Sequence, residues 1–278
     1  MTPKPPISPT DIADKNSSEA FEQIYREHYN RLFTLAFRLT GTVENAEDVL
    51  QTAFTDAFAA FSRFRFESTA YTWLYRIVFN GAMAYLTKWR QMPTDEWAES
   101  RNMSVQAVYD YINGFGNVED DVLTHRIRES CLQMFINCMP AKYRTVYTLR
   151  GMLQLSVKDT AEILEISEDS VKTRLSRARQ LAKSHLEGRC GLAFPGAMCH
   201  CRGFAGYITH NHREHKLQNI KVVRRLEEDA AQQFKTEMRE VLNVDRLFAT
   251  ELESTDFNSF KERLKSLVQK GTLTVLSS

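Results

Sequence analysis

Between Ser156 and Leu186 the apolar residues fall at helical spacing, but the run is broken once, and that break limits the fold more than any other feature. Ser156-Val-Lys-Asp159 has the form of an N-terminal capping box, and Val157, Ala161, Ile163 and Leu164 carry a short helix as far as Glu165. Ile166-Ser167 then restarts a helix in which Val171, Leu175, Ala178 and Leu181 stand at i, i+4, i+7 and i+10, predicting one buried stripe. Lys172, Thr173, Arg174, Ser176, Arg177 and Arg179 project elsewhere. Residues 170–189 hold six basic residues against one acid, Glu187. A short helix, a tight turn and a cationic second helix make the pattern of a helix-turn-helix, whose second helix enters the major groove. Arginine there can pair bidentately with guanine, and any of these cations can neutralise phosphate. A solvated basic helix on an ordinary bundle is the plainer alternative, and the Ser-capped restart argues against it. Glu165 holds a turn position that favours positive φ, at a cost on the order of 1 kcal/mol for a residue other than glycine.

The rest of the chain predicts more helices. Its 278 residues are 43% hydrophobic, with 36 Lys+Arg against 35 Asp+Glu, which excludes a disordered or collagen-like chain and allows two or three small domains. Residues 1–18 carry four of the seven prolines and predict a flexible arm. Phe21, Ile24, Tyr25, Leu32, Leu35, Ala36 and Leu39 mark a first helix that Gly41 stops. A second, capped by Thr42, runs through Val43, Ala46, Val49, Leu50, Ala53, Phe54, Ala57, Phe58 and Phe61, with Glu44, Glu47, Asp48, Gln51 and Asp56 on its polar side. A third covers roughly 69–90. Residues 91–124 change character: Asp95, Glu96, Glu99, Asp110, Glu119, Asp120 and Asp121 face a single basic residue, Arg101, so an acidic linker is expected. A second helical domain follows over 125–187, broken at Pro140 and Gly151. Residues 188–215 form a Cys/His-rich segment, and 216–278 read as a helical C-terminal extension, with helices near 217–242 and 256–268. The expected fold is all-α: two small helical domains joined by the linker, the second containing the helix-turn-helix.

No stretch approaches the ~20 apolar residues of a membrane-spanning helix, and the N-terminus lacks the apolar core of a signal peptide, so no membrane insertion and a cytoplasmic location are expected. Five cysteines, an odd number, predict reduced thiols or metal ligands rather than a disulfide framework.

Between Phe61 and Met92 the basic residues Arg63, Arg65, Arg76, Lys88 and Arg90 oppose only Glu67, and they interleave with Phe64, Phe66, Tyr71, Trp73, Tyr75 and Trp89. Unpaired bases need π-faces to stack on and cations along the backbone, and stacking is worth ~1–3 kcal/mol per base. Phe79 and Ile77 read better as core residues. The segment Ser62–Ala70, lying between helices, is the better candidate for a loop that captures an extruded base.

Taken together, the two halves resemble the sigma factors of the extracytoplasmic-function type, the two-domain initiation subunits of bacterial RNA polymerase. Ala46-Glu47-Asp48-Val49-Leu50-Gln51, with Phe54 and Ala57-Phe58, is similar to the family's core-binding helix. Tyr71-Thr-Trp-Leu-Tyr-Arg-Ile-Val-Phe-Asn80 is similar to the helix that melts and holds the −10 element. Met139-Pro140, Tyr143-Arg144, Val146 and Leu149, followed by Val171 to Arg179, resemble the −35-binding domain. Two departures stand out: Ala84 where the family usually has Asp, and Glu165 in place of the turn glycine.

The resemblance implies a non-enzymatic subunit that gives core polymerase promoter specificity and helps open DNA. It implies core-polymerase contacts through Glu47, Asp48, Gln51, Phe54 and Phe58, on the β′ clamp helices, with the β subunit as a further contact. Contacts to the −10 element fall to Arg63, Phe64, Arg65, Trp73, Arg76, Asn80, Lys88 and Arg90. Those to the −35 element fall to Lys172, Thr173, Arg174, Ser176, Arg177 and Arg179. Promoter DNA and an anti-sigma factor are the other expected partners. The 34-residue linker can span up to ~110 Å, more than two duplex turns of ~34–36 Å.

Cys190, Cys199 and Cys201 lie within twelve residues, and His200, His210, His212 and His215 lie among or after them. No cofactor is required by the sigma reading, but these cysteines with His210 are the candidate ligands of a zinc ion; packed free cysteines are the alternative. Cys131 and Cys138, seven apart, read as core. The competing function is a stand-alone helix-turn-helix regulator with a metal- or redox-sensing Cys/His tail. It leaves the acidic second helix and the aromatic-basic segment without a purpose. A metal hydrolase is weaker still, because Glu214 is the only carboxylate inside Cys190–His215.

Overall fold

The computed structural model of the chain describes residues 17–61, 69–86, 91–217, 220–225 and 250–254. Residues 1–16 of the expected arm, most of the Ser62–Ala70 loop and the expected helix over 256–268 lie outside the described residues, while residues 17 and 18, expected in the arm, begin the first helix. An N-terminal bundle is built from α1 (Ser17–Thr40), α2 (Val43–Phe61) and α3 (Ala70–Met83). Gly41, at φ +88°, separates the first two, and Thr42 Oγ1 accepts the Asn45 N–H to begin α2. Thr69 caps α3 by accepting the Thr72 N–H.

From Leu32 to Thr40 every residue of α1 is buried. A helix closed off around its whole circumference must be surrounded, and α1 is: α2, α3 and a C-terminal strand pack on it. The third helix ends at Met83 rather than near residue 90. The Tyr85 and Leu86 N–H groups reach back only three residues, to Ala82 and Met83, which tightens and closes the last turn.

The segment expected as an acidic linker is ordered as two helices, α4 (Pro93–Ser100) and α5 (Val105–Asn113). Pro93 opens α4, and Ser104 caps α5 by accepting the Ala107 N–H. Ala98, Val108, Tyr109 and Ile112 bury their faces against a later helix, α10 (Cys201–His210), while most of the acids stay outside. Asp95 forms a two-point ion pair with Arg189 at 2.6 and 3.1 Å. The apolar partner that folds this segment lies about a hundred residues downstream, so charge composition alone reads it as a tether.

The second domain comprises α6 (Asp121–Asn137), α7 (Ala141–Val146) continuing as a π-helical turn to Met152, α8 (Val157–Leu164) and α9 (Glu168–Leu186). Val171, Leu175 and Ala178 are buried as expected, against Leu132, Ile136, Val146, Tyr147 and Met152. Their stripe continues through Ala182 and Leu186, leaving Leu181 half-buried.

After a short turn, the expected helix near 217–242 begins instead as a strand, β1 (Ile220–Arg225), antiparallel to β2 (Thr250–Ser254). Val222 faces Leu252 in register, and a bulge falls between Val222 and Arg224. Ile220, Val222 and Val223 are β-branched, which favours a paired strand over an isolated helix once a partner is present. Residues 226–249 lie outside the described residues. β2 rests on α1: Leu252 is fully buried, and its N–H donates to Thr34 Oγ1 at 2.7 Å. The fold is otherwise all-α across both helical domains. Leu149, Leu153, Leu155 and Ile163 join the core of the N-terminal bundle, so the two domains are packed together.

Candidate nucleic-acid interface

The helix-turn-helix is built by two serine caps and one left-handed residue. Ser156 Oγ accepts the Asp159 N–H at 2.9 Å to open α8. Glu165 takes φ 53° and ψ 44°, the left-handed conformation that the turn demands, and the Ile166 N–H closes on Ala161 O at 3.1 Å. Ser167 Oγ then accepts the Ser170 N–H at 3.2 Å and starts α9. Lys172, Thr173, Ser176 and Arg177 stand exposed at i, i+1, i+4 and i+5, a single face of α9. Arg174 and Arg179 are half-buried on its flanks. Lys172 Nζ lies 3.0 Å from Asp169 Oδ1, and Arg177 donates to Gln180 Oε1 at 3.2 Å. Both contacts are open to water, so a phosphate or base can replace them at little cost.

The aromatic-basic helix is engaged differently. Trp73 is half-buried, its ring tilted 6.4 Å from that of Phe61. Asn80 is exposed, while Phe79 is buried and Ile77 packs against the core. Arg76 turns toward α8: its guanidinium donates to Glu162 O at 2.8 Å and lies 3.6 Å from Glu162 Oε1. Thr72 Oγ1 adds a hydrogen bond to Asp159 Oδ1 at 3.2 Å. The helix-turn-helix domain therefore covers part of the surface expected to hold DNA. Arg63, Phe64, Arg65, Lys88 and Arg90 lie outside the described residues.

On α2, Glu44, Asp48 and Asp56 are exposed at spacings of four and eight residues, with Glu47 and Gln51 half-buried beside them. Phe54 does not share this surface. It is buried, edge-on to Phe21 at 6.2 Å, because Phe21 from α1 fills the groove beside it; Phe58, 5.3 Å from the same ring, is half-buried.

Sequence reading missed one polar group altogether. Arg38, Glu129 and Gln133 are buried at the junction of α1 and α6, where Arg38 also approaches Thr250 of β2. A charged residue inside the apolar run Leu35–Leu39 is the only local signal that could have marked it.

His210 is not placed with the three candidate cysteines. It sits at the far end of α10 from Cys201, nine residues or roughly 13 Å along the axis, and packs on Phe115 at 4.7 Å. Among the described residues, no group of three or more His, Cys, Asp or Glu side chains is arranged to hold an ion as it stands. No helix among them is long and apolar enough to cross a membrane.

Two family models match the chain in order: Sigma-70 region 2 over residues 24–91, and Sigma-70 region 4 over residues 129–181. The chain is also 29% identical over 174 residues to the ECF RNA polymerase sigma factor SigW of Bacillus subtilis, covering 62% of this chain and 91% of that one. The chain belongs to the extracytoplasmic-function sigma factors. As a sigma factor it directs promoter recognition, with α1 to α3 as region 2 and α6 to α9 as region 4. The stand-alone regulator is not favoured, since it accounts for region 4 alone. Sigma factors are not, in general, enzymes. Among other relatives is the ECF RNA polymerase sigma-E factor of Haemophilus influenzae, 28% identical over 173 residues, covering 62% of this chain and 90% of that one. Similar solved structures include CnrH in complex with the cytosolic domain of CnrY, at 20% identity and TM-score 0.46, covering 64% of this chain and 94% of that one. Another is the sigma factor RpoE in complex with the anti-sigma factor NepR from Bartonella quintana, at 20% identity and TM-score 0.42, covering 61% and 98%. Both family matches end by residue 181, so the cysteine segment and the extension lie beyond them.

Proposed function

We propose that this sigma factor reads the −35 element with the exposed face of α9 and the −10 element with α3 and the loop before it, and that the conformation described is a closed form. The exposed cationic face of α9 carries the first part: Lys172, Thr173, Ser176 and Arg177 project from a capped helix, free to enter a major groove, with Arg174 and Arg179 flanking them. Arg177 and Arg174 are assigned to bases and Lys172 to phosphate. Trp73, Arg76 and Asn80 are assigned to the single strand, and the polar stripe at Glu47, Asp48 and Gln51 to the β′ clamp helices of core polymerase, with Phe58 at its edge. Such a factor works in the cytoplasm, where polymerase and promoter are.

The two DNA elements lie apart by more than one duplex turn of ~34–36 Å, whereas α3 and α8 touch. Both elements can be held only if α8 leaves α3, which frees Arg76 for DNA. An anti-sigma factor that favoured the closed form would act on the same equilibrium. The role needs no cofactor, and an ion in the cysteine segment would be structural.

Hydrogen exchange on the full chain, alone and bound to core polymerase with promoter DNA, tests the closed form. Faster exchange in the facing surfaces of α3 and α8 on assembly is expected before DNA protects α3. Undiminished protection of α8 in a transcribing complex would contradict it.

A further inference from the structure

Four of the five cysteines, drawn from two distant parts of the chain, meet at one place. Cys131 lies on α6, where it borders both the helix-turn-helix core and the core formed by α5 and α10. Cys190 follows the end of α9, its N–H donating to Leu186 O at 2.9 Å. The chain then loops and returns so that Cys190 and Cys199 pair as a parallel β-bridge. Two hydrogen bonds hold it, Gly191 N–H to Cys199 O at 2.9 Å and Cys199 N–H to Arg189 O at 2.8 Å. Gly191 is required for this approach, because a Cβ there would stand 2.8 Å from Cys199 O. Two residues on, Cys201 opens α10, which packs against α6. Cys131 packs beside Cys190 in the helix-turn-helix core and beside Cys199 in the core of α5 and α10, and charge on Cys199, Cys201 or Cys190 adds to the burial that raises its thiol.

Cys138 does not belong to this group: it packs in the helix-turn-helix core, and its charged neighbours are Arg144, Glu96, Asp95 and Arg189. One turn before Cys131 on α6, Arg128 faces Cys201. Its Nη2 is buried without a hydrogen-bond partner among the described residues, and its Nε lies 3.6 Å from Glu129 Oε1. That leaves a cation beside the thiols whose charge is only partly answered.

We propose that Cys131, Cys190, Cys199 and Cys201 form a tetrathiolate site for a divalent metal ion, zinc, with Cys131 and not His210 as the fourth ligand. Four sulfurs suit the tetrahedral preference of zinc, and a closed set of four protein ligands makes a structural rather than a catalytic site. Without the ion all four are free cysteines, none of them in a disulfide. Side-chain rotation toward a common centre closes the cage: the ion takes four thiolates, and four protons pass to solvent. The resulting net charge of −2 is offset in part by Arg128.

The ion would lock three parts of the molecule together. α6 belongs to region 4, Cys190 fixes the end of the −35 recognition helix, and α10 supports α4 and α5. Asn113 of α5 already donates to Met198 O at 2.7 Å, one residue before Cys199. A metal here would therefore make the 91–124 segment a fixed part of region 4.

The test is metal content by mass spectrometry on the full chain, purified without a metal-binding tag under reducing conditions and supplied with zinc. Stoichiometric zinc is expected in the wild type, in Cys138→Ser and in His210→Ala, with comparable losses in Cys131→Ser and Cys199→Ser. Because a cysteine variant can fail to fold, the wild type is also stripped with a chelator and titrated with cobalt(II) alone. Absorption bands of a tetrahedral four-thiolate cobalt centre are expected. Substoichiometric zinc in the wild type, full zinc in folded Cys131→Ser, or a cobalt spectrum showing a nitrogen ligand would each overturn the proposal.

Discussion

Arg38 and Glu129 form a buried ion pair, Nη2 to Oε2 at 2.9 Å, with side chains 0% and 2% exposed. It joins region 2, through α1, to region 4, through α6. Arg38 also donates to Gln133 Oε1 at 3.2 Å and approaches Thr250 Oγ1 at 3.5 Å, while the Gln133 amide donates back to Arg38 O at 3.3 Å. Burial pulls the guanidinium below its ordinary range, and Glu129 opposes that pull. Buried pairs add little net stability, but they punish the loss of either member and so favour one docking geometry.

Glu129→Ala is expected to weaken the closed form by ~3–5 kcal/mol, because it leaves Arg38 buried without its counter-charge. Denaturation melts and hydrogen exchange across α1, α6 and β2 check this. Glu129→Gln, which keeps a hydrogen-bond acceptor, is expected to cost less than the alanine variant.

Leu252→Ala removes a fully buried side chain of β2 from the core of the N-terminal bundle, at an expected cost of ~2–5 kcal/mol to strand docking. If the strand helps hold the closed form, this variant binds promoter with core polymerase more readily than wild type. Proteolysis of the full chain should show earlier cleavage near residues 250–254.

On α9, Arg174→Ala and Arg177→Ala are expected to cost ~1–3 kcal/mol of promoter binding where they read bases, with relaxed preference at single −35 positions. Lys172→Ala is expected to weaken all sequences alike and to reduce the salt dependence. Binding assays over varied −35 sequences and salt concentrations separate the two behaviours.

His28 supplies a pH dependence. Burial, more than its charged neighbours, lowers its pKa from 6.5, and its ring meets that of Tyr71 at 5.1 Å. The folded state binds this proton less readily than the unfolded chain, so stability is full above pH 6.5 and falls as pH drops below it toward the depressed folded value. His28→Gln should flatten part of that slope in melts recorded between pH 7 and pH 5.

Local chemistry explains how much was legible. The caps at Thr42, Ser156 and Ser167, the break at Gly41 and the stripe Val171–Leu175–Ala178 act within a few residues, so spacing alone reveals them. Non-local features escaped. α4 and α5 fold on α10, Phe54 is claimed by Phe21 of another helix, and Arg38 finds Glu129 ninety-one residues away. The Ile220–Arg225 strand needs Thr250–Ser254 as its partner. Cys131 reads as core because it stands seven residues from Cys138 on one helix face, whereas in space it packs near Cys190 and Cys199, which are remote in sequence.

Core-polymerase binding is the most direct measurement of the central claim, made with the folded wild type and Asp48→Arg, whose exposed charge reversal should change stability by under ~0.5 kcal/mol. The wild-type chain is predicted to bind core enzyme and to start transcription at a promoter that core alone ignores, and Asp48→Arg to bind markedly more weakly. A wild-type chain that neither binds core polymerase nor confers promoter-dependent initiation would contradict the account.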